Sequence, residues 1–256
     1  ECPYDKGGYF IIKGKEKVIL SQEKRVDNIM YINQSSDSKI YLQCLLKSTS
    51  TKGYQSSRTN AISFIKKYDQ STNKYYDVIS VRILGIGIGE NANFKIPLFI
   101  LFRALGIESD KQILDMIIYE NDSDNLKNKL LDNLLNTIKN SEPVYTQRNA
   151  FKFLALQTKG KDNYNVIDIL NNNFLPNYNK NNIAKAYFLG YSVRKLLLTY
   201  LGIIKQTDRD SYSYKRIDTS GTLLLELYRE LWGKFKKKTS YKIDTEYKFN
   251  FQKSGN

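Results

Sequence analysis

Three residue patterns in this chain are suited to chemistry. Gly85, Gly87 and Gly89 alternate with isoleucine, and glycines let a backbone approach a phosphate closely. The spacing matches neither G-x-G-x-x-G opening a helix nor G-x-x-x-x-G-K-[ST], so it reads as a connection between β and α structure. Asp122/Asp124 and Asp208/Asp210 offer the one or two carboxylates that commonly hold Mg²⁺ beside a substrate phosphate. In the second pair Arg209 separates the acids and basic residues follow, which suits ion pairing better. Basic residues interleave with aromatics at Lys66-Lys67-Tyr68, YSYKR (212–216) and WGKFKKK (232–238). Such cations neutralise phosphates, and exposed rings stack on bases. Trp232 and Phe235 follow a helical stripe and read as core, with Lys236, Lys237 and Lys238 as a solvated helix end. Lys215 and Arg216 read as lying between a turn and a helix start, where backbone amides add to an anion site.

The chain has no histidine, which removes imidazole acid–base work, His-containing triads and His-ligated metals. Cys2 and Cys44 cannot build a four-cysteine zinc site. They read as reduced thiols, a single disulfide being the alternative. No nucleophile elbow or metal cluster stands out, so no catalytic residue, metal or cofactor site is assigned. Lys and Arg number 40 against 26 Asp and Glu, a net charge of +14. That surplus suits a polyanionic partner: nucleic acid, or an acidic membrane or protein surface. The alternative is a solvated basic surface from an AT-rich genome, whose codons also enrich Asn and Tyr, here 24 and 20. With 256 residues, 41% of them hydrophobic, the chain can bury a core as one or two domains. No apolar run approaches membrane-spanning length, so the expectation is a soluble intracellular chain with no membrane partner.

The elements that must position these residues change character near Pro97. In YFIIKGKEKVILSQ, apolar runs at 9–12 and 18–20 flank a basic link at 13–17, where Gly14 supplies a positive φ. NIMYI, IYLQCLL, AISFIKKY and YYDVISVRIL follow as strands, the last after a turn at DQSTNK. Alternation is clearest at Ile40, Leu42, Cys44 and Leu46. From Pro97, placed at the first helical position, the period becomes helical, and Gly106 is a stop. The next helix starts at Ser109 or Asp110. Leu126, Leu130, Leu134 and Ile138 recur at i,i+4 as one buried stripe. TQRNAFKFLALQ, NVIDILNNNFLP and NIAKAYFLGYSVRKLLLTYLGI are further helices, the last apolar nearly all round and therefore central. After a polar break at 205–213, GTLLLELYRELWGKF puts Leu223, Leu227, Leu231 and Phe235 on one face. The expected class is α+β, an N-terminal mainly β section followed by a helical bundle.

Four collinear segments together resemble one family, the second-largest (beta-like) subunit of multisubunit DNA-directed RNA polymerases. GGYFIIKGKEKVILSQEKR (7–25) is similar to the family's GGYFI(I/V)NG-x-E-(K/R)-V hairpin with its (S/A)-Q-E sequel. PLFILFRALGIESDKQIL (97–114) resembles the I-x-x-x-FRALG helix and the following D-x-x-IL helix. FLPNYN (174–179) with KAYFLGYSVRKLLL (185–198) resembles FLPH…K-(A/L)-x-(F/Y)-LG-(Y/H)-M-x-x-(R/K)-LL. DRDSYSYKRIDTSGTLLLELYRELW (208–232) resembles DDRDH-x-x-x-KR-x-(D/E)-x-x-G-x-LL. FRALGI and FLGY are nearer the eukaryotic or large-DNA-virus type than the bacterial one. Lys13 replaces the Asn of the Asn-Gly turn, Asn177 the His of FLPH, Thr207 the first Asp of DDRDH, and Ser211 its His. Residues 31–93 match only loosely.

The resemblance implies a lobe inserted between two parts of a protrusion: protrusion at 1–22 and 208–256, lobe at 23–207. It implies a piece of a larger subunit, non-catalytic itself, walling the DNA cleft of an enzyme that transfers nucleotidyl groups to an RNA 3′ end. Mg²⁺ and Zn²⁺ are expected elsewhere in that enzyme, and no cofactor in this segment. Lys15, Lys17, Lys24, Arg25, Lys215 and Arg216 are the expected nucleic-acid-facing residues. Expected partners are DNA and the RNA–DNA hybrid, the largest and other polymerase subunits, and transcription factors on the lobe. The location implied is the nucleus, or the virion or cytoplasmic factory of a large DNA virus; an AT-rich protist is the alternative source. Two rivals remain: a free-standing basic nucleic-acid-binding module, and a factor-docking domain without DNA contact.

Overall fold

A computed structural model describes residues 2–50, 57–69, 73–87 and 94–254. Ile88 and Gly89 of the glycine loop, and Gln70, Ser71 and Thr72 of the expected turn, lie outside the described residues. The chain divides into two units, Glu1–Val26 with Asp210–Asn256, and Asp27–Arg209.

The first unit opens with a hairpin of β1 (Tyr9–Ile12) and β2 (Lys15–Val18), Ile12 standing opposite Lys15. The expected link at 13–17 shrinks to Lys13-Gly14, both at positive φ (51° and 71°), the conformation that matches strand twist in a two-residue turn. Lys15 and Lys17 are therefore strand residues. The strand β3 (Gln22–Arg25) follows.

The second unit carries a five-stranded antiparallel sheet in sequence order: β4 (Met30–Asn33), β5 (Ile40–Ser48), β6 (Arg58–Asp69), β7 (Lys74–Arg82) and β8 (Ile96–Pro97). On β5 the two-residue period holds, with Ile40, Leu42, Cys44 and Leu46 buried. Leu42 opposes Phe64 and Cys44 opposes Ile62; Phe64 and Ile62 in turn oppose Ile79 and Val81, so three strands share one apolar face.

Helices cover that face. Pro97 closes β8 and caps α1 (Leu98–Ala104) from outside the helix, one position before its expected place; Gly106, at φ 102°, follows the C-cap. Then come α2 (Asp110–Ile117), N-capped by Ser109, and α3 (Asp124–Lys139), whose Leu130 and Leu134 are fully buried with Leu126 and Ile138 packed beside the core. Thr146 caps α4 (Gln147–Ala155) by accepting the Asn149 N–H at 3.3 Å. After α5 (Asn163–Asn172), the helix α6 (Asn182–Tyr200) runs through the centre, burying Ala186, Leu189, Val193, Leu196 and Leu197. Strands followed by helices around one core make the unit α+β.

The chain returns to the first unit through β9 (Lys215–Asp218), antiparallel to β3, and ends in α7 (Ser220–Ser254). A Cβ on Gly8 (φ 98°) would lie 2.6 Å from Ser220 Cβ, so this glycine serves a close approach to the start of α7. The stripe expected as core on α7 is solvent-facing beyond its start: Leu223 is half-buried, while Leu227, Leu231 and Phe235, with Trp232 beside them, are between 47% and 57% exposed. Among the described residues its unit holds two two-stranded ribbons, too little apolar surface to cover a long helix. Tyr228, Trp232 and Phe235 instead stack on one another along the helix. Lys236, Lys237 and Lys238 lie in mid-helix rather than at its end.

Candidate nucleic-acid interface

Four of the six expected basic residues meet on one ribbon. Lys24 stands opposite Arg216, and Arg25 opposite Lys215, on β3 and β9. Directly opposed side chains share a face and neighbours alternate, so Lys24/Arg216 and Arg25/Lys215 point to opposite faces. No sequence period announces this pairing, because QEKR and KRID lack apolar alternation. Lys215 and Arg216 lie between the 3-10 turn at 212–214 and α7, as expected from sequence, but on a strand: the Lys215 N–H closes that turn on the Tyr212 carbonyl, and Arg216 stands in the ladder opposite Lys24.

Carboxylates temper the ribbon. Lys24 Nζ lies 3.0 Å from Glu226 on α7 and 3.5 Å from Asp218. Arg216 Nε is 3.2 Å from the same Asp218, which is buried, and Lys215 Nζ is 2.5 Å from Glu23. The Glu226 bond raises the Lys24 pKa, and the Glu23 bond raises that of Lys215, so both stay charged. Arg25 is exposed and, among the described residues, in no ion pair. Lys15 and Lys17, exposed on one face of β2 opposite Ile12 and Phe10, are likewise in none.

Two other chemistry candidates, Asp122 and Gly87, are committed within the fold. Asp122 is held by Arg194, and Asp124 lies 4.0 Å from Lys127. Among the described residues no three His, Cys, Asp or Glu side chains cluster as metal ligands. Gly87 donates its N–H to the Gln157 carbonyl (2.9 Å), so that amide is committed within the fold. Cys2 is exposed and Cys44 buried, both free thiols; burial pushes the Cys44 pKa up to about 12. No described helix is long and apolar enough to cross a membrane.

Residues 25–218 match the family model described as RNA polymerase Rpb2, domain 2. The chain belongs to this family. The DNA-directed RNA polymerase II subunit RPB2 of Encephalitozoon cuniculi is 33% identical over 91% of this chain and 20% of its own length. That of Schizosaccharomyces pombe is 31% identical over 98% of this chain and 21% of its own. The DNA-directed RNA polymerase subunit Rpo2 of Saccharolobus solfataricus is 27% identical over 95% and 20%. The chain spans about a fifth of the length of these curated relatives.

Within this Rpb2-family domain, several motif residues act as structural ties that helical periodicity does not reveal. Arg103 of FRALG is 1% exposed; it donates to the Ser141 and Val144 carbonyls and pairs with Asp110 at 2.5 Å. Lys185 of KAYFLGY is fully buried and donates to the Leu170 carbonyl at 2.6 Å, capping the end of α5. Gly190 faces Met116, where a Cβ would meet the backbone oxygen at 2.8 Å. The departures from the family pattern are also accommodated. Asn177 accepts from the Ser48 hydroxyl at 2.7 Å, and Thr207 Oγ1 accepts the Ile32 N–H at 3.3 Å. Ser211 caps the short 3-10 turn that precedes β9.

Proposed function

We propose that this chain is the lobe, with flanking parts of the protrusion, of the second-largest subunit of a DNA-dependent RNA polymerase. In this role it is non-catalytic, lines the DNA cleft and offers a surface to transcription factors. The family match over residues 25–218 carries the reading. Its two ends fall on β3 and β9, the antiparallel pair through which the chain leaves and re-enters the first unit. A domain inserted into another has this form, with entry and exit as neighbours. On this reading residues 1–22 and 208–256 are protrusion and 23–207 are lobe. Nucleotidyl transfer, with its Mg²⁺ and the Zn²⁺ site, belongs to the rest of the enzyme. The partners are the largest and other subunits, DNA and the RNA–DNA hybrid. The location is intracellular: nucleus, or virion and viral factory for a viral source.

An antibody to this chain tests the reading. It should precipitate template-dependent RNA synthesis together with a protein about five times the chain's length. Recovery of a chain of this size alone, without synthesis, supports the free-standing module and sinks the proposal.

Lys15, Lys17, Lys24, Arg25, Lys215 and Arg216 face the nucleic acid in this proposal, Lys15, Lys17 and Arg25 foremost. The carboxylate partners of Lys24, Lys215 and Arg216 favour the second reading, a factor-docking domain without DNA contact. Replacing Lys15, Lys17 and Arg25 by alanine in the assembled enzyme separates the two. The log–log salt slope of DNA retention should flatten by about 0.9 for each phosphate that is no longer neutralised. An unchanged slope supports the second reading.

A further inference from the structure

A recess of about 720 Å³ lies at one end of the five-stranded sheet. Four lysines line it: Lys39 before β5, Lys66 and Lys67 on β6, and Lys95 before β8. Asp37 is the one carboxylate among its described lining residues. Asp77, opposite Lys66 in register, is engaged by the Tyr41 hydroxyl. Lys67 Nζ has a neutral partner, Asn140 Oδ1 at 3.3 Å, and Lys66 Nζ sits 4.7 Å from the centre of the Tyr75 ring. Burial depresses the pKa of both Lys67 and Lys95, and the Lys95 ammonium depresses that of Lys67 further. Four lysines, two of them half-buried, line one concavity, Lys66 and Lys67 from opposite faces of β6, and only Asp37 offsets them, at Lys95; an entering anion would relieve their repulsion.

We infer that this recess binds an acidic peptide segment of a partner protein through its Asp and Glu carboxylates. Lysines are compact point charges that take single carboxylates, with no need for the planar fork of arginine. Ile65 in the lining gives the methylenes of a glutamate an apolar floor. A nucleic-acid strand suits the site less. Tyr68 and Tyr75 lean on each other at a tilt with ring centres 5.0 Å apart, and Lys66 lies over Tyr75, which takes up part of the ring surface that would stack on bases. A duplex asks for a strip of cations that follows a convex rod, whereas these line a concavity. The recess belongs wholly to the Asp27–Arg209 unit, so the inference does not rest on the polymerase assignment.

Fluorescence anisotropy with the 256-residue chain tests it, using a fluorescein-labelled ten-residue Glu/Asp peptide and an oligothymidylate of equal charge. At +14, general attraction contributes to any anion's binding, so the control must match in charge. The recess variant is Lys39→Gln/Lys66→Gln/Lys95→Gln; the control is Lys111→Gln/Lys129→Gln/Lys152→Gln, three exposed lysines on α2, α3 and α4. The recess variant should weaken peptide binding tenfold or more, the control less than threefold, and the peptide should bind more tightly than the oligonucleotide. Equal losses in both variants overturn the inference. So does an oligonucleotide that binds more tightly and is the ligand whose binding the recess variant weakens. If Lys95→Gln unfolds the chain, the exposed pair Lys39→Gln/Lys66→Gln carries the same comparison, with a threefold loss expected and no loss overturning it.

Discussion

Arg194 on α6 grips Asp122 with two guanidinium nitrogens on two carboxylate oxygens, at 2.6 and 2.7 Å. Both side chains are about nine-tenths buried. The same guanidinium lies 4.1 Å from the Tyr119 ring centre and donates to the Ile117 carbonyl, while Asp122 accepts the Tyr119 N–H. The end of α2 is thereby tied to α6. An acidic residue that looked like half of a metal pair is a fastening.

Asp122→Ala leaves a buried guanidinium without its partner and should cost about 3 to 5 kcal/mol. Arg194→Lys keeps the charge but loses the fork, and should cost less, about 1 to 2 kcal/mol. Urea midpoints at constant slope would check both. The Arg194 bonds hold the Asp122 pKa below its ordinary value of 3.8. Its stabilisation is therefore complete above the unfolded-state value and lost as pH falls through the lower folded value. Asp122→Asn should remove that part of the acid limb.

Lys185 predicts the opposite limb. Burial pushes its pKa down from 10.5 to about 8. Between those values the unfolded chain binds more protons than the folded one, so stability should rise with pH across the window. The rise attributable to this side chain is about 3 kcal/mol at most. Lys185→Met should abolish it. At pH 7 the variant should differ little from the parent, because removing a buried charge offsets the missing bond to the Leu170 carbonyl. A wild-type and variant chain with parallel stability profiles from pH 8 to 10.5 would refute this.

Two glycines on helices should respond with opposite signs. Gly190→Ala places a methyl carbon 2.8 Å from the Met116 oxygen and 2.9 Å from its Cβ, so α2 and α6 must separate. The expected cost is about 2 kcal/mol, outweighing the usual gain from alanine in a helix. Gly233→Ala on α7 meets open space and should stabilise that helix by about 1 kcal/mol, read as increased helical circular dichroism on warming.

These contrasts show what the sequence made legible. Alternation on β5 and the Leu126–Leu130–Leu134–Ile138 stripe were readable because each buries one face against its own unit. The stripe on α7 was equally regular yet stands exposed. Periodicity states which residues share a face, not whether anything covers it. The β3–β9 ribbon was not readable, since its strands are polar and nearly two hundred residues apart, and pairing of that kind leaves no local trace. The basic site was therefore found in composition but not in geometry. Sequence named Lys24, Arg25, Lys215 and Arg216; only the register shows that they split between two faces. The lysine recess was legible only as Lys66-Lys67-Tyr68, because Lys39 and Lys95 arrive from distant segments.

The turn at Lys13-Gly14 should set the stability of the β1–β2 hairpin. Lys13 is held at φ 51°, where a Cβ is unfavourable by about 1 kcal/mol or more, and asparagine tolerates this region best among residues with side chains. A Cβ on the neighbouring Gly14 would meet nothing within 4 Å, so the requirement there is backbone conformation rather than space. Lys13→Asn should thus tighten the hairpin by about 0.5 to 1 kcal/mol without touching any other contact. Gly14→Ala, at φ 71°, should loosen it by a similar amount. Hydrogen exchange of the Ile12 and Lys15 amides would report both, since the two residues face each other across the turn. Slower exchange in the first variant and faster in the second is expected. No change in either would mean that the turn does not set the hairpin's stability.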